Sequence, residues 1–232
     1  MFKEAAVRAV PQRATSEETR RLILETALRL FRERGLDETT MRDIAAGAGL
    51  SLGAAYYYFR NKEAIVGAYY DFVHDEHLRR AREALATTTD LRERLRIALH
   101  TKLDILRDDQ RLLSALFRYG GDPRHPLSWF GPGTRRQREM SIAVFADALA
   151  GERLPDDVEA AAPTLMWTLH MGILLYFLYD DSPQHRRTRA LIDASIDFVI
   201  LARRFVTNPL LRPLRRRVLS VLHDAGLLEA AA

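Results

Sequence analysis

Residues 39–63 read TTMRDIAAGAGLSLGAAYYYFRNKE, and the chemistry open to this stretch is anion capture and base-edge recognition rather than bond making. Thr40 with Asp43 three residues on, Ser51 before an apolar turn, and Asn61 before Lys62 each mark a helix start. Helix starts present unpaired amides and the positive end of the dipole, which attract phosphate. Gly49 supplies a turn between two short helices. This is the spacing of a helix-turn-helix, a unit that sets one helix into the major groove of duplex DNA. Other chemistries find little support. No nucleophile–base set, phosphate loop or metal-ligand set is legible, and cysteine is absent, so no enzyme activity, cofactor or metal is expected. His74-Asp75-Glu76-His77 places two histidines on one helix, but it has no third converging ligand and is not H-E-x-x-H.

The elements that must position these residues all read as helices. Thr15-Ser16-Glu17-Glu18 fits a capping box, followed by the apolar stripe Ile23, Ala27, Leu30, Phe31, with Gly35 as a left-handed cap. Thr40 starts a second helix whose Ile44, Ala45 and Ala48 point inward. A third runs from Ser51 to Phe59, with Ala55 and Phe59 inward. The fourth is long, from about 62 to 86, and Thr87-Thr88-Thr89 breaks it. Asp90 and Glu93 start the next, where Leu91, Leu95, Leu99, Leu103 and Leu106 mark one face. Leu112, Leu113, Leu116 and Phe117 lie on a shorter helix. The Gly and Pro content of 120–133 predicts a loop. Helices follow at about 134–150, 157–180 and 184–206, the last with Ser182 as N-cap and Pro183 in its first helical position. Asn208-Pro209 stops it, and a final helix is expected over 213–224. No strand and no internal repeat is evident.

Of the 232 residues, 47% are hydrophobic, enough for a real core, and the net charge of +4 permits nucleic-acid binding without proving it. The positive charge is nearly all arginine, the lysines being Lys3, Lys62 and Lys102. The absence of cysteine fits a reducing compartment. The first residues lack the apolar segment of a secretory signal. The longest apolar run, about Leu169 to Tyr179, falls short of the ~20 residues that cross a bilayer. A soluble, cytoplasmic protein with no membrane partner is expected. Residues 1–14, with Lys3, Arg8 and Arg13, read as a flexible arm. Arg203-Arg204 and the arginines from Arg212 to Arg217 read as a solvated basic face.

Thr19 to Val66 resembles the DNA-binding domain of TetR-type transcriptional regulators. The matching features are the A-x-x-L-F-x-x-x-G helix end, the T-T start, D-I-A-x-x-A-G-x-S, Y-x-Y-F and N-K-E. The resemblance implies an all-α homodimer. A helix-turn-helix domain over 15–62 would be joined by a long fourth helix to a variable helical domain, 63–232, that binds a small ligand and pairs the subunits. By the family's pattern, Thr40, Tyr56, Tyr58 and Lys62 sit at phosphate-contact positions. Thr40 and Lys62 lie at helix N-termini, and the tyrosine hydroxyls are neutral donors on stiff arms; packing aromatics that close the small domain are the alternative for Tyr56 and Tyr58. Base reading falls to Arg42, Leu52, Gly53, Ala54 and Tyr57, with Arg42 able to fork onto guanine O6 and N7. The chain departs from the family at Leu52 and Ala54, where hydrogen-bonding side chains are common. Contact with thymine methyls, close backbone approach at Gly53 and shape readout are expected to replace them.

In the C-terminal part, Leu103, Phe117, Trp129, Phe130, Phe145, Trp167, His170, Met171 and Tyr176 are the candidates for an inter-helix pocket, ordinary core packing being the alternative. Trp167 and His170 share a helix face, which suits an apolar or aromatic ligand with one polar group. Leu191, Ala194, Phe198, Leu201 and Phe205 form a heptad-like stripe, so the last two long helices of two subunits would make a four-helix dimer interface. The expected function is a DNA-binding transcriptional regulator, a repressor released from a palindromic operator by a small, largely apolar or aromatic effector. The alternative is a small-molecule binding protein whose helix-turn-helix reads no specific site.

Overall fold

A computed structural model describes residues 15–122 and 124–225, and among them there is no strand. The ten α-helices of the described residues are α1 (Ser16–Arg34), α2 (Met41–Gly47), α3 (Leu52–Tyr58), α4 (Lys62–Leu85), α5 (Leu91–Leu106), α6 (Gln110–Gly120), α7 (Arg135–Leu149), α8 (Asp156–Phe177), α9 (Arg186–Val206) and α10 (Arg212–Asp224). The chain forms two compact units that part between Ile65 and Val66. The basic arm expected over 1–14 lies outside the described residues.

The first unit is built from local capping and a small apolar centre. Thr15 and Thr40 each make a complete capping box, with Glu18 and Asp43 respectively. The Ser51 hydroxyl accepts from the Ala54 amide, and the Asn61 side chain accepts from the Ala64 amide at 2.9 Å. Ile23, Ala27, Phe31, Ile44, Ala45, Ala55 and Phe59 are buried. Ala45 and Ala55 lie where α2 packs on α3, and small side chains there let the helices approach. The turn between them needs Gly49, whose φ of +68° is costly for any residue with a Cβ. The Leu50 amide reaches back to the Ala45 carbonyl at 2.9 Å, closing a Schellman motif. Gly35 differs from expectation. Its φ is positive, but its ψ of 158° takes it out of the left-handed helical region, and its carbonyl instead accepts from the buried Thr39 hydroxyl at 2.7 Å.

In the second unit α8 packs against α7 and α9, and α5 against the same two helices. α8 is long and apolar enough to cross a membrane by length and composition alone, which the uninterrupted-run criterion did not anticipate. One face of it is core, with Val158, Met166, Trp167, His170, Leu174 and Phe177 buried. The start of α9 also departs from the sequence reading. Ser182-Pro183 opens a single 3-10 turn, and Gln184 and His185 then both take φ of 55° before α9 begins at Arg186. Ser182 still caps α9 from a distance, its hydroxyl accepting from the Arg187 amide at 3.1 Å. Buried Asp180 caps it too, accepting from the Thr188 amide and hydroxyl at 2.8 and 2.6 Å. Burial would raise the Asp180 carboxyl, but hydrogen bonds from the amides and hydroxyls of Ser182 and Thr188 outweigh it and hold the carboxyl well below its usual range.

Candidate DNA-reading surface and interior cavity

α3 presents its reading face to solvent. Leu52, Gly53, Tyr56 and Tyr57 are exposed, Tyr57 to 82%, while Ala54 and Tyr58 are half-buried. Only Ala55 and Phe59 of this segment enter the core. Tyr57 and Tyr58 meet edge to face at 5.2 Å, which stiffens both rings. The fold does not require glycine at 53, since a Cβ there would meet nothing within 4 Å. Arg42 is exposed in the first turn of α2.

Two of the four expected phosphate ligands are already engaged within the unit. The Thr40 hydroxyl donates to Asp43 Oδ2 at 2.5 Å, and hydrogen bonds from Thr40 hold the Asp43 carboxyl below its usual value. Lys62 Nζ donates to the Leu36 carbonyl at 2.7 Å and to that of Asp37 at 3.4 Å. Lys62 therefore ties the start of α4 to the loop after α1, a tertiary contact no local pattern announces.

The second unit encloses a cavity among α4, α5, α6, α7, α8 and the loop before α7. Of the nine expected pocket residues, Phe117, Trp129, Trp167, His170 and Met171 line it. Four do not. Leu103 is buried one position, and so about 100°, around α5 from the lining Lys102. Phe145 is core behind His170, its ring centroid 5.6 Å from the imidazole. Phe130 is half exposed and packs edge-on against Trp167 at 5.8 Å. Tyr176 lies nine residues after Trp167, about 180° around the helix, and is exposed on the outer side of α8.

The aromatic wall is held in place from several directions. Gly120 allows the Trp129 indole to lie against α6, where a Cβ would approach the ring to 2.8 Å. Arg138 Nη1 donates to the Trp129 carbonyl at 2.9 Å, and Trp129 Nε1 donates to the Tyr70 hydroxyl at 3.3 Å. Burial pushes the Tyr70 phenol up to about 12. The space left is about 60 Å³, room for a few waters at roughly 10–15 Å³ of such space each.

Of the polar groups at the cavity, sequence reasoning found His170 and missed Lys102 and His74. Lys102, only 3% exposed, lines it with His74 and His170. Among the described residues, Lys102 Nζ and both ring nitrogens of His170 have no hydrogen-bond partner, and neither does Nδ1 of the adjacent His77. Desolvation brings the Lys102 ammonium down to about 7 and the His74 and His170 imidazoles to about 3, with Lys102 adding repulsion on both histidines. His74 and His77 do not form a metal pair. His74 Nδ1 bonds the Tyr70 carbonyl at 2.7 Å and His77 Nε2 that of Ala98 at 2.8 Å. A signal for Lys102 did exist: in Leu95, Leu99, Lys102, Leu106, a lysine stands where the helical period demands an apolar residue.

In the second unit, exposed apolar side chains stand out on α8, α9 and α10, the last through Leu214, Val218 and Val221. Phe198 (68% exposed), Leu201 and Phe205 project from α9, with Ala194 also exposed and Leu191 half-buried. Leu165, Leu175 and Tyr176 project from α8, with Tyr179 just beyond its end.

Comparison with known proteins agrees with this geometry in both units. Residues 23–69 match the family described as bacterial regulatory proteins, tetR family, and residues 94–214 match the tetracyclin repressor-like C-terminal domain. An uncharacterised HTH-type transcriptional regulator of Mycobacterium tuberculosis is 32% identical over 152 residues, covering 64% of this chain and 70% of that protein. The HTH-type transcriptional repressor KstR2 of the same organism is 31% identical over 133 residues, 53% of this chain and 62% of its own. The regulator TtgR of Pseudomonas putida is 45% identical over 71 residues, 30% of this chain, and that match spans about a third of TtgR's length (34%). The crystal structure of a TetR transcriptional regulator from Nitrosomonas europaea superimposes with a TM-score of 0.63 at 20% identity, covering 77% of this chain and 96% of that one. An all-α chain with a helix-turn-helix unit, a second helical unit, and family matches over both is a member of the TetR family of transcriptional regulators.

Proposed function

We propose that this regulator is a homodimeric repressor that holds a palindromic operator through α3 and Arg42 and leaves it when a small, largely apolar or aromatic ligand enters the cavity of the second unit. The observation that carries this reading is the cavity itself, lined by aromatic rings and by buried polar groups with no hydrogen-bond partner among the described residues. An effector larger than the space left enters by displacing side chains or helices. It then binds the expanded state better than the closed one, and that difference is what shifts a population. α4 lines the cavity through Tyr70, Val73 and His74, and the same helix begins at Lys62 in the first unit. Displacing α4 would change the spacing between the two reading heads of a dimer, and so their match to the half-sites.

On DNA, Arg42 reads guanine, while Leu52, Gly53 and Ala54 meet thymine methyls and the sugar edge closely. Tyr57 reads or wedges beside them, and Tyr56 and Tyr58 hold phosphates. Thr40 and Lys62 shape the phosphate-facing surface and can join it where their internal bonds exchange. The apolar stripes on α8 and α9 support the dimer, since contiguous exposed apolar surface of this kind marks an association site. The protein would act in the cytoplasm, where its DNA lies.

Selection from random duplexes at physiological salt, followed by sequencing, tests the reading. A palindrome whose half-site contains a guanine that Arg42→Ala stops selecting supports it. Absence of enrichment, with only salt-sensitive residual binding, would favour a ligand-binding protein that reads no specific site.

A further inference from the structure

Lys102 carries an argument beyond the general reading of an apolar effector. It is a buried amine with no hydrogen-bond partner among the described residues, set into the wall of a cavity where aromatic and aliphatic side chains stand beside His74, Thr134, Gln137, Arg138, Ser141 and His170. A buried donor left unpaired costs about 1–3 kcal/mol, and more when it is charged. His170, on the facing helix α8, adds two further unpartnered nitrogens. No aspartate or glutamate is among the residues that line the cavity. Nearby acids are occupied elsewhere: Asp109 accepts from the Tyr69 hydroxyl at 2.7 Å, and Asp71 from Gln137 at 2.8 Å.

We propose that the effector is a lipophilic monocarboxylic acid, its carboxylate accepting hydrogen bonds from Lys102 Nζ and the His170 ring while its apolar body lies against Phe117, Trp129 and Trp167. The proposal rests on the reading of this cavity as the effector site. A carboxylate brings one negative charge to one cation, and its two oxygens accept in several directions. A neutral ligand could accept a hydrogen bond from Lys102 but would leave its charge uncompensated, and an amine would add a second positive charge beside it. A dianionic phosphate would call for a second free cation, but the Arg138 guanidinium is already bonded to the Trp129 and Gly131 carbonyls. The shape agrees with the charge. Lys102 comes from α5, Phe117 and Trp129 from α6 and the loop before α7, and α8 supplies both His170 and Trp167, so the polar nitrogens and the aromatic rings border one space.

The test uses the chain's own fluorescence. Its two tryptophans, Trp129 and Trp167, both line the cavity, so emission reports on occupancy without DNA. The full chain is titrated with 4-phenylbutanoate, 4-phenylbutanamide and 4-phenylbutan-1-amine, and in parallel with octanoate and octanamide. The expected result is a saturable change with each acid and a Kd at least tenfold below that of its amide, the amine being weakest. Lys102→Met should weaken acid binding at least tenfold and leave the amide where it was, which also shows that the cavity is intact. Lys102→Gln serves as a second variant should the first not fold. Equal affinity for acid and amide, an unchanged ratio in a folded variant, or no response to either acid overturns the proposal. A selected operator duplex separates this from the parent reading. A Lys102-dependent preference for the acid without release of the duplex keeps the carboxylate site and rejects effector-driven release, whereas release by acid and amide alike does the reverse.

Discussion

The polar side chains that cap the helices of the three-helix head and those clustered around the cavity of the second unit obey opposite rules. In the head, Thr15, Thr40, Ser51 and Asn61 each find a partner three residues away, and Lys62 is satisfied by carbonyls of the loop it secures. In the second unit, Lys102, His77 and His170 are buried with unpartnered nitrogens. The head is a self-contained support that leaves α3 free to face outward. The interior of the second unit retains a destabilising cluster that packing alone does not relieve, the condition expected of a site that waits for a ligand.

The largest expected effect breaks the proposed dimer. The double substitution Phe198→Glu and Leu201→Glu should yield monomers by sedimentation and lower operator affinity by at least about 100-fold, since one half-site then binds without the other. Fold should survive, because both side chains are exposed in the single chain.

Lys102→Met sharpens the contrast between the units. It removes an unpaired buried donor, so urea unfolding at pH 7 should show a gain of about 2 kcal/mol. The same site governs the pH profile. Lys102 sits at about 7 in the folded chain against an ordinary 10.5, so above pH 7 the unfolded chain binds the extra proton and stability rises with pH until about 10.5. Lys102→Met should abolish that rise. At the acid end, His74 and His170 stay neutral down to about 3 in the folded state but take up protons below 6.5 once unfolded. Stability should therefore fall as pH drops from 6.5 toward 3, and His170→Leu should make that decline shallower.

On the head, Arg42→Ala should lose about 1–3 kcal/mol of discrimination at one base pair, with no change in melting temperature. The smallest pair concerns two glycines. Gly49→Ala should destabilise the head by about 1 kcal/mol, because its φ is positive. Gly53→Ala should leave stability unchanged, because its Cβ has open space, and should weaken operator binding only if the backbone there approaches the bases. Calorimetry of both variants, with and without duplex, distinguishes the two roles.

Most of the head was legible along the chain because its determinants are local. Capping pairs lie three residues apart, the Ile23–Phe31 stripe follows the helical period, and Gly49 marks a turn that no other residue makes as cheaply. The helices of the second unit were legible for the same reason, apart from the Gln184–His185 bulge, whose hydrogen bonds come from Asp180 and Ser182 across a turn. The cavity was legible only in part. Aromatic residues at helical spacing can face a cavity, the core or solvent, and Trp167, Phe145 and Tyr176 take those three places in turn.

Local hydrogen bonding and helical periodicity thus settle the class of this protein, its reading helix and the turn that presents it, because each depends on residues within a few positions of one another. Which side chains share the cavity, and that Lys102 lies in it without a partner among the described residues, depends on α4, α5, α6, α7 and α8 packing together. Burial and desolvation are properties of that packing, set by residues far apart in the chain, and they turn one lysine in a leucine stripe into the group on which the proposed ligand site is centred.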